Sequence, residues 1–267
     1  MNELALFAGA GGGILGGKLL GWRTVCAVEW EPYPASVLVA RQNDGILPPF
    51  PVWDDVQTFD GKPWRGIVDV ISGGFPCQDI SSAGKGAGID GERSGMWREM
   101  ARIIREVEPR FVFVENSPML TSRGLGRVLG DLSSMGFDAA WGVLGAANIG
   151  ANHQRDRIWI VATNIPNTSG KRYEFAQHEI CTRWNSTKFS GKDLSDSYLS
   201  QQQGGCISSG IQQKNSYASD SCWWETEPNV GRVADGLASR VDRLKAIGNG
   251  QVPLCAAEAW RILSGGA

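Results

Sequence analysis

Residues 4–16 read LALFAGAGGGILG, an apolar segment that leads directly into a glycine-rich turn. The apolar residues 4–7 predict a strand, and glycines allow a tight turn where a Cβ would clash with the backbone or a ligand. The helix predicted after the turn has free N–H groups at its start, which favour ligand binding there. Residues 11–16 fit the dinucleotide-binding pattern G-x-G-x-x-G, although a purely structural turn stays an alternative.

Strands and helices alternate along the first part of the chain. Apolar runs predict further strands at residues 24–29, 68–72, 110–115 and 157–163, and helical patterns occur at 35–41, 96–107 and 125–135. Several of these runs are apolar throughout, which is typical of strands that are covered on both faces. The alternation predicts an α/β fold with a doubly wound, mostly parallel, Rossmann-like sheet.

The composition changes after residue 164. Residues 165–230 are rich in Ser, Gln, Asn and Gly, whereas residues 231–267 end in a helical pattern. The middle segment fits either a poorly ordered insertion or a small substrate-reading region carried on loops. We therefore expect a main domain over residues 1–164, and we expect residues 231–267 to return and complete it.

The overall composition is that of an ordinary globular protein, with 42% hydrophobic and 20% charged residues. No apolar run approaches the ~20 residues of a membrane span, and the N-terminus lacks signal-peptide features, so we expect a cytoplasmic protein without membrane contact. The six cysteines form no C-x-x-C pair and the two histidines lack ligand spacing, which predicts free thiols and no metal. A net charge of -2 argues only mildly against a nucleic-acid partner, because a local basic cleft can coexist with it.

Residues 72–95, SGGFPCQDISSAGKGAGIDGERSG, follow a predicted strand and contain a candidate nucleophile. The pattern places Cys77 at the carboxyl-end edge of the sheet, where ligands bind in open α/β folds, and Pro76 stiffens the backbone before it. The glycines that follow favour a loop that closes over a substrate, in which Lys85 and Arg93 are candidates for phosphate contacts. The alternative is that Cys77 is a small buried hydrophobic residue.

Polar residues also follow the neighbouring predicted strands. Glu29 and Trp30 place a carboxylate suited to ribose hydroxyls beside an indole that can cover an adenine ring. For Trp30 the alternative is an ordinary core tryptophan. Asp55 is a candidate acceptor for the adenine amino group, and its alternative is a helix cap or turn residue.

These motifs together resemble the DNA cytosine-5 methyltransferase family. FAGAGG at 7–12 resembles the cofactor turn of that family, and GGFPCQ at 73–78 resembles its nucleophile motif. The other matching motifs are Glu115-Asn116, the pair Arg155 and Arg157, and Gly248-Asn249. They occur in the family's order and span nearly the whole chain. The sequence departs from the family's usual pattern at His153, Ser117 and Gly250.

The resemblance implies an S-adenosyl-L-methionine-dependent enzyme that methylates carbon 5 of a flipped-out cytosine in duplex DNA through a covalent bond to Cys77. The implied catalytic residues are Cys77, Glu115, Arg155 and Arg157. The implied cofactor contacts are Phe7, Ala8, Gly9, Gly11, Gly12, Glu29, Trp30, Asp55, Val56, Pro76 and Asn249. The implied DNA contacts are Gln78, Ser81, Lys85 and Arg93.

The resemblance also implies a setting for the protein. Residues 165–230 correspond to a target-recognition region that is short for the family, as in compact bacterial or phage enzymes. We expect a monomer that binds double-stranded DNA and no metal. A cognate restriction endonuclease, and a role in restriction-modification or in phage or host DNA protection, stay open.

Three other functions use parts of the same pattern. A nicotinamide-dependent oxidoreductase would explain the glycine turn but leaves GGFPCQ, Glu115-Asn116 and Gly248-Asn249 unexplained. The RNA-acting branch of the family carries a Cys-Phe-Thr tripeptide, which is absent from the sequence. A catalytically inactive DNA-binding module is disfavoured because Cys77 and Glu115 are both present.

Overall fold

The computed structural model describes residues 1–76, 96–165 and 240–265. The strands in these ranges are β1 (Asn2–Leu6), β2 (Arg23–Val28), β3 (Val52–Trp53), β4 (Val70–Gly73), β5 (Phe111–Asn116), β6 (Phe137–Leu144) and β7 (Arg157–Asn164). The helices are α1 (Gly12–Leu19), α2 (Pro32–Asn43), α3 (Met96–Val107), α4 (Leu120–Arg123), α5 (Leu125–Ser134), α6 (Arg240–Asn249) and α7 (Pro253–Leu263).

In the described ranges, seven strands form one sheet in the order β3-β2-β1-β4-β5-β7-β6. Strands β1 to β5 pair in parallel, and β7 lies antiparallel between β5 and β6. The predicted α/β fold with a mostly parallel sheet is therefore confirmed. Because β7 has a neighbour on both sides, it is an interior strand of this sheet.

Strand β6 is absent from the sequence-based prediction, although all eight of its residues pair with β7. Its sequence, FDAAWGVL, includes Ala139, Ala140 and Gly142, which are weak strand formers. Most of its side chains are only partly buried, as befits a strand at the edge of a sheet. Pairing with β7 thus makes this segment a strand despite its weak local preference.

Helices cover both faces of the sheet. Helix α3 covers one face through a stripe of buried apolar side chains along its length. These are Trp97, Met100, Ile103, Ile104 and Val107. That stripe packs with residues of α5 and with one set of alternating strand side chains, including Val112 and Val114. The opposite set, including Phe111 and Phe113, packs with α7. The sheet is therefore doubly wound.

Helices α1 and α7 approach each other closely on the second face. A Cβ placed on Gly16 would lie 2.7 Å from the Cβ of Ala256 and 2.9 Å from the carbonyl oxygen of Pro253. Only glycine fits this position without a shift of one helix. The contact connects the glycine turn before α1 with the C-terminal segment of the chain.

The register of the parallel strands brings one position of each strand to the same edge. Leu6 pairs with Val28 and with Gly73, and Gly73 pairs with Val114. The residues that follow these positions therefore meet at the carboxyl ends of the strands, where ligands bind in open α/β folds. They are Phe7, Glu29, Gly74 and Glu115.

The chain divides into two compact units, Met1–Lys188 with Leu244–Ala267 and Phe189–Arg243. The sheet belongs to the first unit, and the described residues of the second are 240–243, at the start of α6. The predicted segments 1–164, 165–230 and 231–267 stay a prediction, because residues 166–239 lie outside the described ranges. Of the helices described, none has both the length and the apolar character that a membrane crossing requires.

Candidate active site

The turn after β1 has the backbone shape of a ligand cradle. Phe7, Gly9 and Gly11 all have positive φ, at 52°, 55° and 89°. Glycine adopts this conformation freely, whereas it is strained for Phe7, and such strain often marks functional sites. The N–H of Ala8 donates to the carbonyl of Val28 at 3.1 Å, so the turn is fixed to the end of β2.

Glu29 ties the same turn to the start of α2. Its Oε2 accepts the N–H of Gly9 at 2.6 Å, and its Oε1 accepts the N–H of Glu31 at 2.8 Å. The side chain is buried, and burial raises the pKa of the Glu29 carboxyl while these two N–H donors lower it. The carboxyl group therefore lies directly at the glycine turn, and its contact with a ribose stays a prediction.

Trp30 lies beside Glu29 with 69% of its surface exposed. The alternative of an ordinary core tryptophan is therefore wrong. An exposed indole next to a buried carboxyl is free to cover a flat ring. The adenine contact itself stays a prediction.

Asp55 and Val56 follow β3. Asp55 accepts the backbone N–H of Gln57 on Oδ1 at 2.9 Å, which is the geometry of the turn alternative. Val56 is buried, and its carbonyl accepts Arg102 from α3 at 2.8 Å. The segment is thus held rigidly beside the exposed Trp53. Its contact with an adenine ring stays a prediction.

Glu115 is the buried acid at the end of β5. Its Oε1 lies 2.7 Å from Nε of Arg157, which enters from the start of the antiparallel neighbour β7. Burial raises the pKa of the Glu115 carboxyl, and the charges of Arg157 and Arg155 oppose that rise. The site therefore contains a carboxyl group whose proton affinity is increased by its surroundings, and such groups are common at catalytic sites.

Asn116, the other member of the E-N motif, holds the segment that leads to Cys77. Its side-chain amide donates to the carbonyl of Phe75 at 3.1 Å, and its Oδ1 accepts the N–H of Ser117 at 2.8 Å. The ring of Phe75 is buried 5.5 Å from that of Trp97. Sequence reasoning assigned no role to Asn116, although its position beside Glu115 was the available signal.

Cys77 itself lies outside the described residues. The same holds for the expected DNA contacts Gln78, Ser81, Lys85 and Arg93. Pro76 is the last described residue before them and is partly buried. Both interpretations of Cys77, as nucleophile or as buried hydrophobic residue, therefore stay open on the geometry.

The structure separates the two arginines that the sequence pairs. Arg157 faces Glu115, whereas the guanidinium of Arg155 donates to the carbonyls of Gly248, at 2.8 Å, and Gly250. Arg155 thus fixes the turn between α6 and α7. Because β7 lies between β5 and β6, Arg157 begins an interior strand of the sheet and not an edge strand.

Asn249 is exposed at the end of α6, and its contact with a cofactor stays a prediction. Gln251, two residues further, is a site residue that sequence reasoning missed. Its amide lies among the glycines of two motifs, since a Cβ on Gly13 would be 2.6 Å from Oε1 and one on Gly74 would be 3.2 Å from Nε2. Its proximity to Gly248-Asn249 was the only sequence signal.

The described residues contain no group of His, Cys, Asp and Glu side chains arranged to hold a metal ion. What they bring together is a glycine turn, a buried acid beside it and a second buried acid paired with an arginine. The glycine turn and the acid beside it have a shape and polarity that suit a nucleoside. The acid paired with arginine suits the edge of a polar ring.

Known proteins resemble the chain in both sequence and fold. It is 34% identical to the Type II methyltransferase M.Eco47II of Escherichia coli over 181 residues, covering 64% of this chain and 42% of that protein. It is 32% identical to the Type II methyltransferase M.CviJI of Paramecium bursaria Chlorella virus IL3A over 190 residues, covering 70% and 48%. The chain thus spans about half the length of these curated relatives.

A solved structure of the Entamoeba histolytica methyltransferase EhMeth shares the fold, with a TM-score of 0.51 at 14% identity, covering 64% of this chain and 55% of that one. A DNMT2 mutant from Spodoptera frugiperda gives a TM-score of 0.50 at 21% identity, covering 65% and 53%. The family model described as C-5 cytosine-specific DNA methylase matches residues 1–248. The chain therefore belongs to the C-5 cytosine-specific DNA methylase family.

Proposed function

We propose that this chain transfers a methyl group from S-adenosyl-L-methionine to carbon 5 of cytosine in double-stranded DNA. The observation that carries the proposal is the buried Glu115, paired with Arg157 at 2.7 Å and located at the same sheet edge as the glycine turn. Its neighbour Asn116 holds the backbone of Phe75, two residues before Cys77. Membership of the family supports this reaction over hydride transfer.

The reaction needs a nucleophile because carbon 5 of cytosine is too electron-poor to accept a methyl group directly. In our proposal the thiolate of Cys77 bonds to carbon 6. The electrons of the 5,6 double bond then shift through the ring toward nitrogen 3. Carbon 5 becomes nucleophilic in this enamine-like form, so one high barrier is divided into lower ones. Once carbon 5 has taken up the methyl group in exchange for the bond that held it to the donor sulfur, loss of the carbon 5 proton and departure of the Cys77 sulfur restore the 5,6 double bond.

In this proposal Glu115 stabilises the negative charge that the addition creates in the ring. Ring nitrogen 3 gains electron density when the sulfur adds, and a protonated carboxyl group can donate to it. Burial raises the pKa of Glu115, which favours the protonated form that this step requires. Arg157 holds the carboxyl in place at 2.7 Å, and we propose that it also donates to the carbonyl at position 2 of the ring.

The cofactor supplies an electrophilic methyl group when it is bound. The residues around the glycine turn fit such a molecule, because the positive φ of Gly9 and Gly11 suits glycine and open space lies beside Gly9, where a Cβ would have nothing within 4 Å. We propose that Glu29 binds the ribose and that Trp30 covers the adenine. The further contacts in this proposal are Phe7, Ala8, Gly12, Asp55, Val56, Pro76 and Asn249.

The base must leave the DNA stack before Cys77 can reach it, at a cost of roughly a few kcal/mol. We propose that residues 78–93 and the target-recognition region 165–230 offset this cost by contacting the backbone and filling the gap. Gln78, Ser81, Lys85 and Arg93 are the proposed DNA contacts. We further infer a monomer that acts in the cytoplasm, in restriction-modification or in phage or host DNA protection.

The test has two stages. Bisulfite sequencing of DNA from cells that express the protein should reveal methylated cytosines in one sequence context. Tritiated methyl transfer to a duplex with that context should then vanish in Cys77→Ala, whereas Glu115→Gln should lower kcat by about 10²–10⁴-fold with little change in DNA binding. Unmethylated DNA, or an active Cys77→Ala, would refute the proposal.

A further inference from the structure

Gln251 connects the glycine turn with the catalytic acid. The backbone carbonyl oxygen of Gln251 occupies the place that a Cβ on Gly12 would need. Its side-chain Oε1 lies 2.6 Å from the place of a Cβ on Gly13. Both glycines are in the first turn of α1, where backbone N–H groups have no partner within the helix. The absence of side chains at these positions therefore leaves room for Gln251.

The other end of the same amide reaches Glu115. The place of a Cβ on Gly74 lies 3.2 Å from Nε2 of Gln251 and 2.6 Å from Oε2 of Glu115. Both side chains therefore lie beside Gly74, and the neighbouring amide of Gln251 lowers the pKa of the Glu115 carboxyl. Arg157 contacts the other oxygen, Oε1, at 2.7 Å. The carboxyl group thus has Arg157 beside one oxygen and the amide of Gln251 near the other, on two different segments of the chain.

The position of Gln251 is itself well fixed. Arg155 binds the carbonyls of Gly248 and Gly250 just before it. Helix α7 begins two residues after it, at Pro253, and packs closely against α1 through Gly16. The side chain therefore belongs to a short segment that is anchored on both sides, which is what precise positioning of a neighbour requires.

We propose that Gln251 is a positioning residue that holds Glu115 for its contact with the cytosine ring and links that carboxyl to the glycine turn. This inference rests on the proposed function of Glu115. Without the amide, the Glu115 carboxyl keeps its contact with Arg157 at Oε1 and loses the neighbouring amide near Oε2, so its orientation is less restricted. Because Gln251 also touches Gly12 and Gly13, a ligand bound at the turn acts on the same side chain that orients the acid.

Gln251→Met tests the proposal, because methionine keeps the length and flexibility of the side chain but cannot donate. We expect kcat for methyl transfer to fall about tenfold, since misplacement of a catalytic group costs rate. Half-saturating concentrations of S-adenosyl-L-methionine and DNA should change less than about twofold. Because a donor to the ionised carboxyl is lost, the alkaline limb of the pH–rate profile should move to higher pH.

Gln42→Met is the matched control. Gln42 lies in α2, and its side-chain oxygen accepts the N–H of Phe50 at 3.0 Å, so the variant also loses one amide hydrogen bond. It should leave kcat and the pH–rate profile unchanged, whatever it does to stability. If Gln251→Met matches this control, or lowers only the melting temperature with an unaltered pH–rate profile, the inference is wrong.

A titration separates failure of this inference from failure of the proposed function. The Glu115 carboxyl of the full chain is followed by ¹³C NMR as a function of pH without substrate, and Glu115→Gln identifies its signal. Gln251→Met should raise its pKa by about one pH unit, because a donor to the charged form is gone. An unchanged pKa of Glu115 would overturn the role of Gln251, even if the protein transfers methyl groups. A raised pKa would support that role, even if no methyl transfer is found.

Discussion

Two buried carboxyl groups show how the surroundings of a residue decide its role. Glu115 lies at the edge of the sheet beside Arg157, so a positive charge opposes the effect of burial. Glu3 lies within β1, where its partners are the hydroxyls of Ser72, at 2.6 Å, and Thr24, at 2.7 Å. Its neighbours are neutral donors, and burial raises the pKa of Glu3 to about 7. Glu115 is therefore suited to exchange a proton with a substrate, whereas Glu3 affects stability.

Replacing Glu3 by Gln should stabilise the protein in a pH-dependent manner. Since folding raises the pKa of Glu3 from 4.5 to about 7, the folded state favours the protonated form. The contribution of Glu3 to stability is complete below pH 4.5 and is lost as the pH rises through about 7. Glu3→Gln removes that loss, so we expect a gain of about 3 kcal/mol at pH 8.

Urea unfolding of both proteins at pH 8 and at the lowest pH where both stay folded measures the effect. The difference between wild type and Glu3→Gln should shrink as the pH falls from 8 toward 4.5. An equal difference at both ends of this range would mean that Glu3 does not change its protonation on folding.

At the scale of elements, the close contact of α1 and α7 determines where the glycine turn and Gln251 lie relative to each other. Gly16 makes this contact possible, because a Cβ there would lie 2.7 Å from Ala256 and 2.9 Å from the carbonyl oxygen of Pro253. Both obstacles belong to the packed start of α7, which cannot move aside as a flexible side chain tip would. The close packing of α1 and α7 thus sets the distance between the glycine turn and Gln251.

Gly16→Ala should destabilise the fold by about 1–3 kcal/mol through overpacking, despite the better helix propensity of alanine. Gly130→Ala in α5 is the matched control, since nothing lies within 4 Å of a Cβ at that exposed helical position. The control should stabilise by about 0.5–1 kcal/mol. Chemical unfolding of the two variants gives the sign of each change, and a neutral or stabilising Gly16→Ala would contradict the close packing of α1 on α7.

At the scale of the whole molecule, the sequence predicts the features that depend on local pattern. The apolar runs and the glycine turn predict β1, β2, β4 and β5, but not the two-residue parallel strand β3. Strand β6 is not predictable in this way, because its pairing with β7 overrides the weak strand preference of residues such as Ala139 and Gly142.

The site shows the same division. Glu115 and Arg157 are predictable because each belongs to a recognisable motif, and the structure places them 2.7 Å apart. The contact of Gln251 with Glu115 joins positions far apart in the chain and depends on how α7 packs on α1. The separate roles of Arg155 and Arg157 likewise depend on where the chain turns after α6. Such long-range geometry has no local sequence signal.

The proposed bond between Cys77 and carbon 6 of cytosine is tested most directly by trapping it. Duplex DNA that carries 5-fluorocytosine at the methylated position is incubated with the protein and S-adenosyl-L-methionine. Fluorine cannot leave carbon 5 as a proton does, so the sulfur cannot be eliminated. Mass spectrometry of the digested protein should find the nucleotide attached to the peptide that contains Cys77. A wild-type protein that methylates ordinary cytosine but forms no such adduct would contradict the mechanism.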